Sequence, residues 1–194
     1  MEMSFTEAQD DMRQGYCSGG PGILASAIAW ACAAGIAASV STHAAVWALL
    51  IGGLFIFPAS ILFCKLLGAR GTHVKGNPLG VLAGASTFWL IFAIVIALVL
   101  SWHQQTWFFP AMLLTLGGRY LVFATAYGMR HYWVLGLLLA TAGVITFVMS
   151  VQPAASAAVG SAIEGSFSVV CISHYFRRMR PDKSLQRTAL MGRR

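Results

Sequence analysis

Six long apolar stretches follow one another along the chain, each bounded by Gly, Pro, His or charge. They cover residues 21–40, 44–67, 79–100, 107–127, 133–151 and 154–175. A helix needs about 20 apolar residues to cross about 30 Å of hydrocarbon at 1.5 Å per residue, and each stretch meets that need. None alternates apolar with polar at period two, so a β-barrel is excluded. In lipid that leaves helices, which satisfy every backbone group within their own segment. Short polar links join the stretches, 41–43, 101–106 and 152–153 on one side, 68–78 and 128–131 on the other. Neighbouring spans must therefore run antiparallel. The expected fold is all-α: a polytopic membrane helix bundle with six transmembrane helices in three antiparallel hairpins.

Two polar segments flank the 21–175 transmembrane domain. In the head, residues 1–20, Ser4 and Glu7 have the spacing of a capping box. Phe5, Ala8, Met12 and Tyr16 then share one helical face, which predicts a short amphipathic helix. Anionic lipid would repel its acidic face, so it points to a basic partner such as the second cytoplasmic loop, the alternative being a frayed polar end. Residues 176–194 form a basic tail, and from Pro181 onward no apolar periodicity supports a fold, so the tail reads as largely disordered.

Composition agrees with a membrane protein. Of 194 residues, 58% are apolar and 10% charged, against about 45–50% and about 25% in soluble domains. The 13 Lys and Arg outnumber 6 Asp and Glu for a net charge of +7. In a soluble protein that would suggest nucleic acid, but here the charge is a topology signal. Arg13, Lys65, Arg70, Lys75 and Arg130 lie on one side, with Arg177, Arg178, Arg180, Lys183, Arg187, Arg193 and Arg194 in the tail. Among the Lys and Arg residues only Arg119 lies deep inside a span. By the positive-inside rule both termini are expected to be cytoplasmic. The tail then meets lipid headgroups, and no nucleic-acid partner is expected. The first residues carry Glu2, Glu7, Asp10 and Asp11 with only Arg13, the wrong sign for a signal peptide, so the first span is expected to stay as an anchor. Trp47, Trp102, Trp107 and Trp133 mark the interfaces, while Trp30 and Trp89 are expected to pack between helices. Cys17, Cys32, Cys64 and Cys171 show no paired spacing and read as packing residues.

Two ionisable side chains lie deep in spans, Arg119 in the fourth and Glu164 in the sixth. From the outer ends of their spans they lie about 18 Å and about 15 Å down, nearly the same depth. Each alone costs about 2.5–3.5 kcal/mol near the midplane, so an Arg119–Glu164 ion pair is expected. It would either fix helix register or form a ligand or ion site lined by Tyr120, Ser161 and Thr115. Ala157, Ser161, Glu164, Ser168 and Cys171 recur at helical steps as one small, polar stripe. Gly117 and Gly118 would admit a neighbouring backbone, and Ala154, Ala158 and Ala162 suit tight helix packing. Pro58, with Gly52 and Gly53 before it, marks the second span as the one to bend, a hinge if the site opens.

No catalytic, metal or cofactor motif appears. The five histidines do not converge as zinc ligands would. HExxH, GxSxG, P-loop and carboxylate-rich signatures are all missing. The Ser18–Gly22 run resembles a phosphate loop only in its glycines and more simply starts the first span. An internal repeat is hinted at: Phe55–Leu62 resembles Trp107–Leu114, and Gly22–Ala25 resembles Gly80–Ala83. Against it, Pro58 falls mid-span while Pro110 falls in the first turn of its helix.

Further signatures are Gly19-Gly20-Pro21-Gly22, Phe57-Pro58-Ala59, Gly76-Asn77-Pro78-Leu79-Gly80, Trp107-Phe108-Phe109-Pro110-Ala111 and Gly117-Gly118-Arg119-Tyr120. On these, residues 15–178 resemble a group of small bacterial six-span integral membrane proteins of unassigned function. That resemblance implies the architecture and transfers no site residue. In the tail, Lys183–Ala189 resembles the translated recombination sites that trail mobile gene cassettes, which would make it a genetic scar in a gene travelling with resistance and defence functions.

The leading functional expectation is transport or permeation of a small solute or ion through an Arg119/Glu164 site, in which case a homodimer is expected. The alternative is a non-catalytic membrane partner, in defence, immunity or regulation, acting through its basic cytoplasmic face. A membrane-embedded enzyme ranks third.

Overall fold

In a computed structural model, which describes residues 3–179, the chain forms seven helices, and six are long and apolar enough to cross a membrane. They are α1 (Phe5–Gly15), α2 (Gly20–Ser39), α3 (Thr42–Leu66), α4 (Pro78–His103), α5 (Phe108–Tyr127), α6 (His131–Val148) and α7 (Pro153–Met179). The last helix runs past the expected end of its span, into the basic segment. The remainder of the tail, including the cassette-like Lys183–Ala189, lies outside the described residues.

Local chemistry sets the helix ends. The Glu7 amide donates to Ser4 Oγ at 3.3 Å and the Ser4 amide to Glu7 Oε2 at 2.8 Å, completing the capping box of α1. Between α1 and α2 the backbone turns through three consecutive left-handed residues, Cys17, Ser18 and Gly19, with φ of 49°, 56° and 78°. Only Gly19 adopts that region without a Cβ penalty, so packing must hold the other two there. The Tyr132 hydroxyl does part of this, donating to the Ser18 carbonyl at 2.8 Å. Ser41 caps α3 and Asn77 caps α4, each accepting a backbone N–H of the first turn. α3 passes through Pro58 as one helix, and Pro110 sits in the first turn of α5.

The six long helices do not contribute equally to the interior. α2 packs against α3 and α7, and α5 against α6 and α4, while α6 touches α7 more lightly. α3 and α4 lie on the outside and expose apolar side chains along their length, among them Leu54, Phe57, Phe88 and Phe92. Trp89, expected between helices, is 68% exposed on this outer face, whereas Trp30 has no exposed surface and packs on Phe109. The difference is one of helix: α4 offers only a narrow buried stripe, and Trp89 falls off it.

Backbones approach closely where small residues meet. A Cβ on Gly117 would lie 2.7 Å from the Gly136 carbonyl oxygen and the Ala140 amide, which explains the α5–α6 contact. Its neighbour Gly118 faces open space. On α7 the close-packed positions are Ala157 and Gly160, while Ala158 and Ala162 of the expected alanine stripe are exposed. That stripe lies about one residue off the true seam, and each residue turns a helix by 100°.

The α3–α4 segment, the α5–α6 turn, α1 and the end of α7 gather at one end of the bundle, here called the head end. Helix α1 docks there through Ala8 and Met12, which are buried, while Phe5 projects from the first turn and is 57% exposed. Asp11 accepts from the Arg70 guanidinium at 2.5 Å, from the Val74 amide at 2.9 Å and from Asn77 Nδ2 at 2.8 Å. Gln9 and Arg13 donate to the carbonyls of Thr125 and Tyr127, and the Gly71 amide bonds to the Gly15 carbonyl. The basic residues that α1 meets thus belong to the α3–α4 segment, Arg70, and to the end of α7, Arg178. The α5–α6 side, the expected partner, supplies backbone carbonyls instead.

Candidate functional site

Glu164 sits inside the bundle with no exposed surface, about one turn beyond Gly160 on the face of α7 that meets α2 and α5. An isolated charge costs several kcal/mol in such a place, so its partners decide its character. The Tyr120 hydroxyl of α5 donates to Oε1 at 2.7 Å. The Ser26 hydroxyl of α2 lies beside the same carboxyl. Oε2 has no partner among the described residues.

Arg119 does not pair with Glu164, contrary to the expectation from depth. Its Nη2 donates to Thr87 Oγ1 of α4 at 3.1 Å, and its guanidinium carbon lies 5.1 Å from the centroid of the Phe123 ring. Depth was the wrong variable. Residues 119 and 120 share a level but differ by 100° around the helix, so Tyr120 faces α7 while Arg119 faces α4. The cation rests on an aromatic face and a hydroxyl, with Nε unpartnered among the described residues.

The other expected lining residues divide similarly. Ser161 Oγ donates to the Ala27 carbonyl at 2.9 Å and ties α7 to α2 one turn from Glu164. Thr115 Oγ1 bonds back to the Ala111 carbonyl of its own helix at 2.8 Å, which spends its donor locally. Of the expected hinge, Gly52 closes against Ala29 of α2, while Gly53 and Pro58 are exposed on the outer face of α3. The site therefore consists of Glu164, Tyr120 and Ser26, with Arg119, Thr87 and Phe123 as a separate cluster. Ser26 and Thr87 carried a sequence signal, being hydroxyls inside apolar spans, but nothing in the pattern said which faces they occupied.

Toward the head end, α7 continues the same face with Ser168, Cys171 and Tyr175, all buried. The Cys171 thiol lies beside the Tyr132 hydroxyl. Tyr132 stacks on Tyr127 with centroids 5.2 Å apart and planes at 10°. Under α1 this face reaches a cavity of about 100 Å³ lined by Asp10, Arg13, Gln14, Ser18, Tyr175 and Arg178. Arg13 pairs with Asp10 there at 2.5 Å, and Arg178 lies 3.9 Å from Asp10. Beside it, Asp11 experiences burial that would raise its pKa, but Asn77, the Val74 amide and Arg70 outweigh this and hold it below the usual carboxylate value.

Chemically, a carboxyl held by one hydroxyl donor and stripped of solvent can bind a proton or a cation. Among the described residues no three His, Cys, Asp or Glu side chains converge as metal donors. His131 and His174 meet edge to face at the head end, with ring centroids 5.6 Å apart.

No curated protein and no solved structure matches the chain. Over residues 5–174, nearly the whole helical domain, it matches the model of a family of unknown function, DUF7010, and the chain belongs to that family.

Proposed function

We propose that the protein is a multi-pass membrane protein of the bacterial inner membrane, both ends cytoplasmic, that moves a small solute or ion with Glu164 as its proton-binding group. Its action on this reading is not enzymatic. The observation that supports it is the state of the Glu164 carboxyl: fully buried, held by Tyr120 at one oxygen and unpartnered at the other. A carboxylate meant only to fix helix register would have its charge neutralised by a neighbouring cation, and Arg119 is turned to α4 instead. Intramembrane carboxyls that load and unload protons serve pumps and transporters. The cytoplasmic placement of the head end rests on its basic side chains, Lys65, Arg70, Lys75, Arg130, Arg177 and Arg178. The experiment is proton flux into proteoliposomes under an imposed membrane potential, followed by an enclosed pH dye. The wild-type chain should conduct and Glu164→Gln should not. Equal flux through both would remove the reading.

A second reading has one observation in its favour. Lys65, Lys75, Arg130 and Arg177 are exposed at the head end and have no acidic partner within ion-pair distance among the described residues. They could bind an acidic cytoplasmic protein. On that reading, loss of these charges abolishes association and Glu164→Gln leaves it intact.

A further inference from the structure

Glu164 has no exposed surface. A proton that it takes up or releases must therefore travel through the protein, and the two directions along the bundle are not alike. We propose that, in the conformation described, Glu164 exchanges its proton faster with the head end than with the far end, along a file of protic side chains on the inner face of α7 that opens into the cavity beneath α1. The proposal rests on the reading of Glu164 as a proton-binding group and adds the side from which the proton arrives.

On α7 the file is Glu164, Ser168, Cys171 and Tyr175, at four-, three- and four-residue steps and buried throughout. At 1.5 Å per residue it spans about 16 Å. Side chains from the facing elements complete it. Tyr120 of α5 donates to Glu164, and its ring centroid lies 6.0 Å from that of Tyr132 on α6. The Tyr132 hydroxyl lies beside the Cys171 thiol and donates to the Ser18 carbonyl. Ser18 lines the cavity and is 1% exposed, and its own hydroxyl has no partner among the described residues. It is thus a hydroxyl free to accept one proton and donate another. The cavity has volume for a few waters and carries the Asp10 carboxylate on its wall, 47% exposed. At rest Ser168 and Tyr132 donate to the Gly165 and Ser18 carbonyls, and each relays by turning its proton from that carbonyl to the next group and accepting another, so only the carboxyl changes its charge.

Toward the far end the same face becomes apolar. Ser161 donates to the Ala27 carbonyl. Beyond it Ala157, Trp30, Phe109 and Leu113 are all fully buried, and Gly160 packs against both Trp30 and Leu113. The groups facing Glu164 are Tyr120 from α5 and Ser26 from α2, with Tyr132 of α6 and Cys171 further along. Arg119 is the nearest cation, and it turns to Thr87.

The test uses the full chain in proteoliposomes, inserted with the head end either outward or inward. Infrared difference spectroscopy follows the carboxyl band that Glu164→Gln removes, after a pH jump applied only to the outer solution. The band should respond promptly when the head end faces the jump and lag when the far end does. Ser18→Ala removes no hydrogen bond and so keeps the fold, yet it should slow the head-end response by at least about tenfold, as should Tyr132→Phe. A far-end response as fast as the head-end one, or Ser18→Ala and Tyr132→Phe both at the wild-type rate, would overturn the route while leaving Glu164 a proton-binding group. A Glu164 band that never moves would remove both the route and the proposed function.

Discussion

The hydroxyl of Tyr120 lies 2.7 Å from Glu164 Oε1, joining α5 to α7 inside the bundle, while Arg119, one residue earlier, donates to Thr87 on α4. Two adjacent residues thus divide the work that an ion pair would have done alone. Tyr120 holds the carboxyl without fixing its charge, and Arg119 is stabilised elsewhere by a hydroxyl and an aromatic face.

Tyr120→Phe should cost about 1–3 kcal/mol, the price of leaving a buried acceptor without its donor. Thermal unfolding in detergent checks this. Glu164→Gln keeps an acceptor for the same hydroxyl and should unfold close to the wild-type temperature. A Tyr120→Phe protein as stable as wild type would show that the hydrogen bond carries nothing.

The docking of α1 should weaken in acid. Asp11 has its pKa lowered in the folded chain, through Asn77, Val74 and Arg70 overcoming the opposing effect of burial. A depressed carboxyl contributes stability that is present above its ordinary value, about 3.9, and lost as pH falls through the folded value. Hydrogen exchange in α1 should therefore stay slow at neutral pH and, corrected for intrinsic rates, accelerate below about pH 4. Asp11→Asn should show the same acceleration at pH 7.

Gly117 and Gly118 should part company. Gly117→Leu forces a side chain into backbone 2.7 Å away and should destabilise the α5–α6 contact by more than about 3 kcal/mol. Gly118→Ala meets nothing within 4 Å and should be neutral or gain up to about 1 kcal/mol from helix propensity. Melting temperatures of the two variants suffice.

Trp89 should be quenched by brominated lipid tails in a protein that keeps it as its sole tryptophan, because it lies 68% exposed on α4. A protein keeping only Trp30, which has no exposed surface, should resist quenching. The reverse pattern would mean that α4 faces protein.

Most of the architecture was legible because lipid leaves few choices: apolar length names a span, and the capping box at Ser4 and Glu7 names the start of α1. The candidate site was legible only in part. Glu164 and Tyr120 stand out by type and depth, but depth measures height along a helix and says nothing of the angle around it. In a soluble helix the polar face supplies that angle. In a span that is apolar all round it is missing, so Trp89, Ala158, Ala162 and Arg119 were assigned to faces they do not occupy. The cavity beneath α1 was equally hidden, since it joins residues from the head, the left-handed turn and the end of α7.

The most direct measurement is a pair of double-mutant cycles on unfolding free energy, one between Glu164 and Tyr120 and one between Glu164 and Arg119, using Glu164→Gln and Glu164→Ala with Tyr120→Phe and Arg119→Gln. The account predicts a coupling of about 1–3 kcal/mol between Glu164→Ala and Tyr120→Phe, and below about 0.5 kcal/mol for Arg119 in either background. A larger coupling to Arg119 than to Tyr120 would restore the buried ion pair and contradict the site as described.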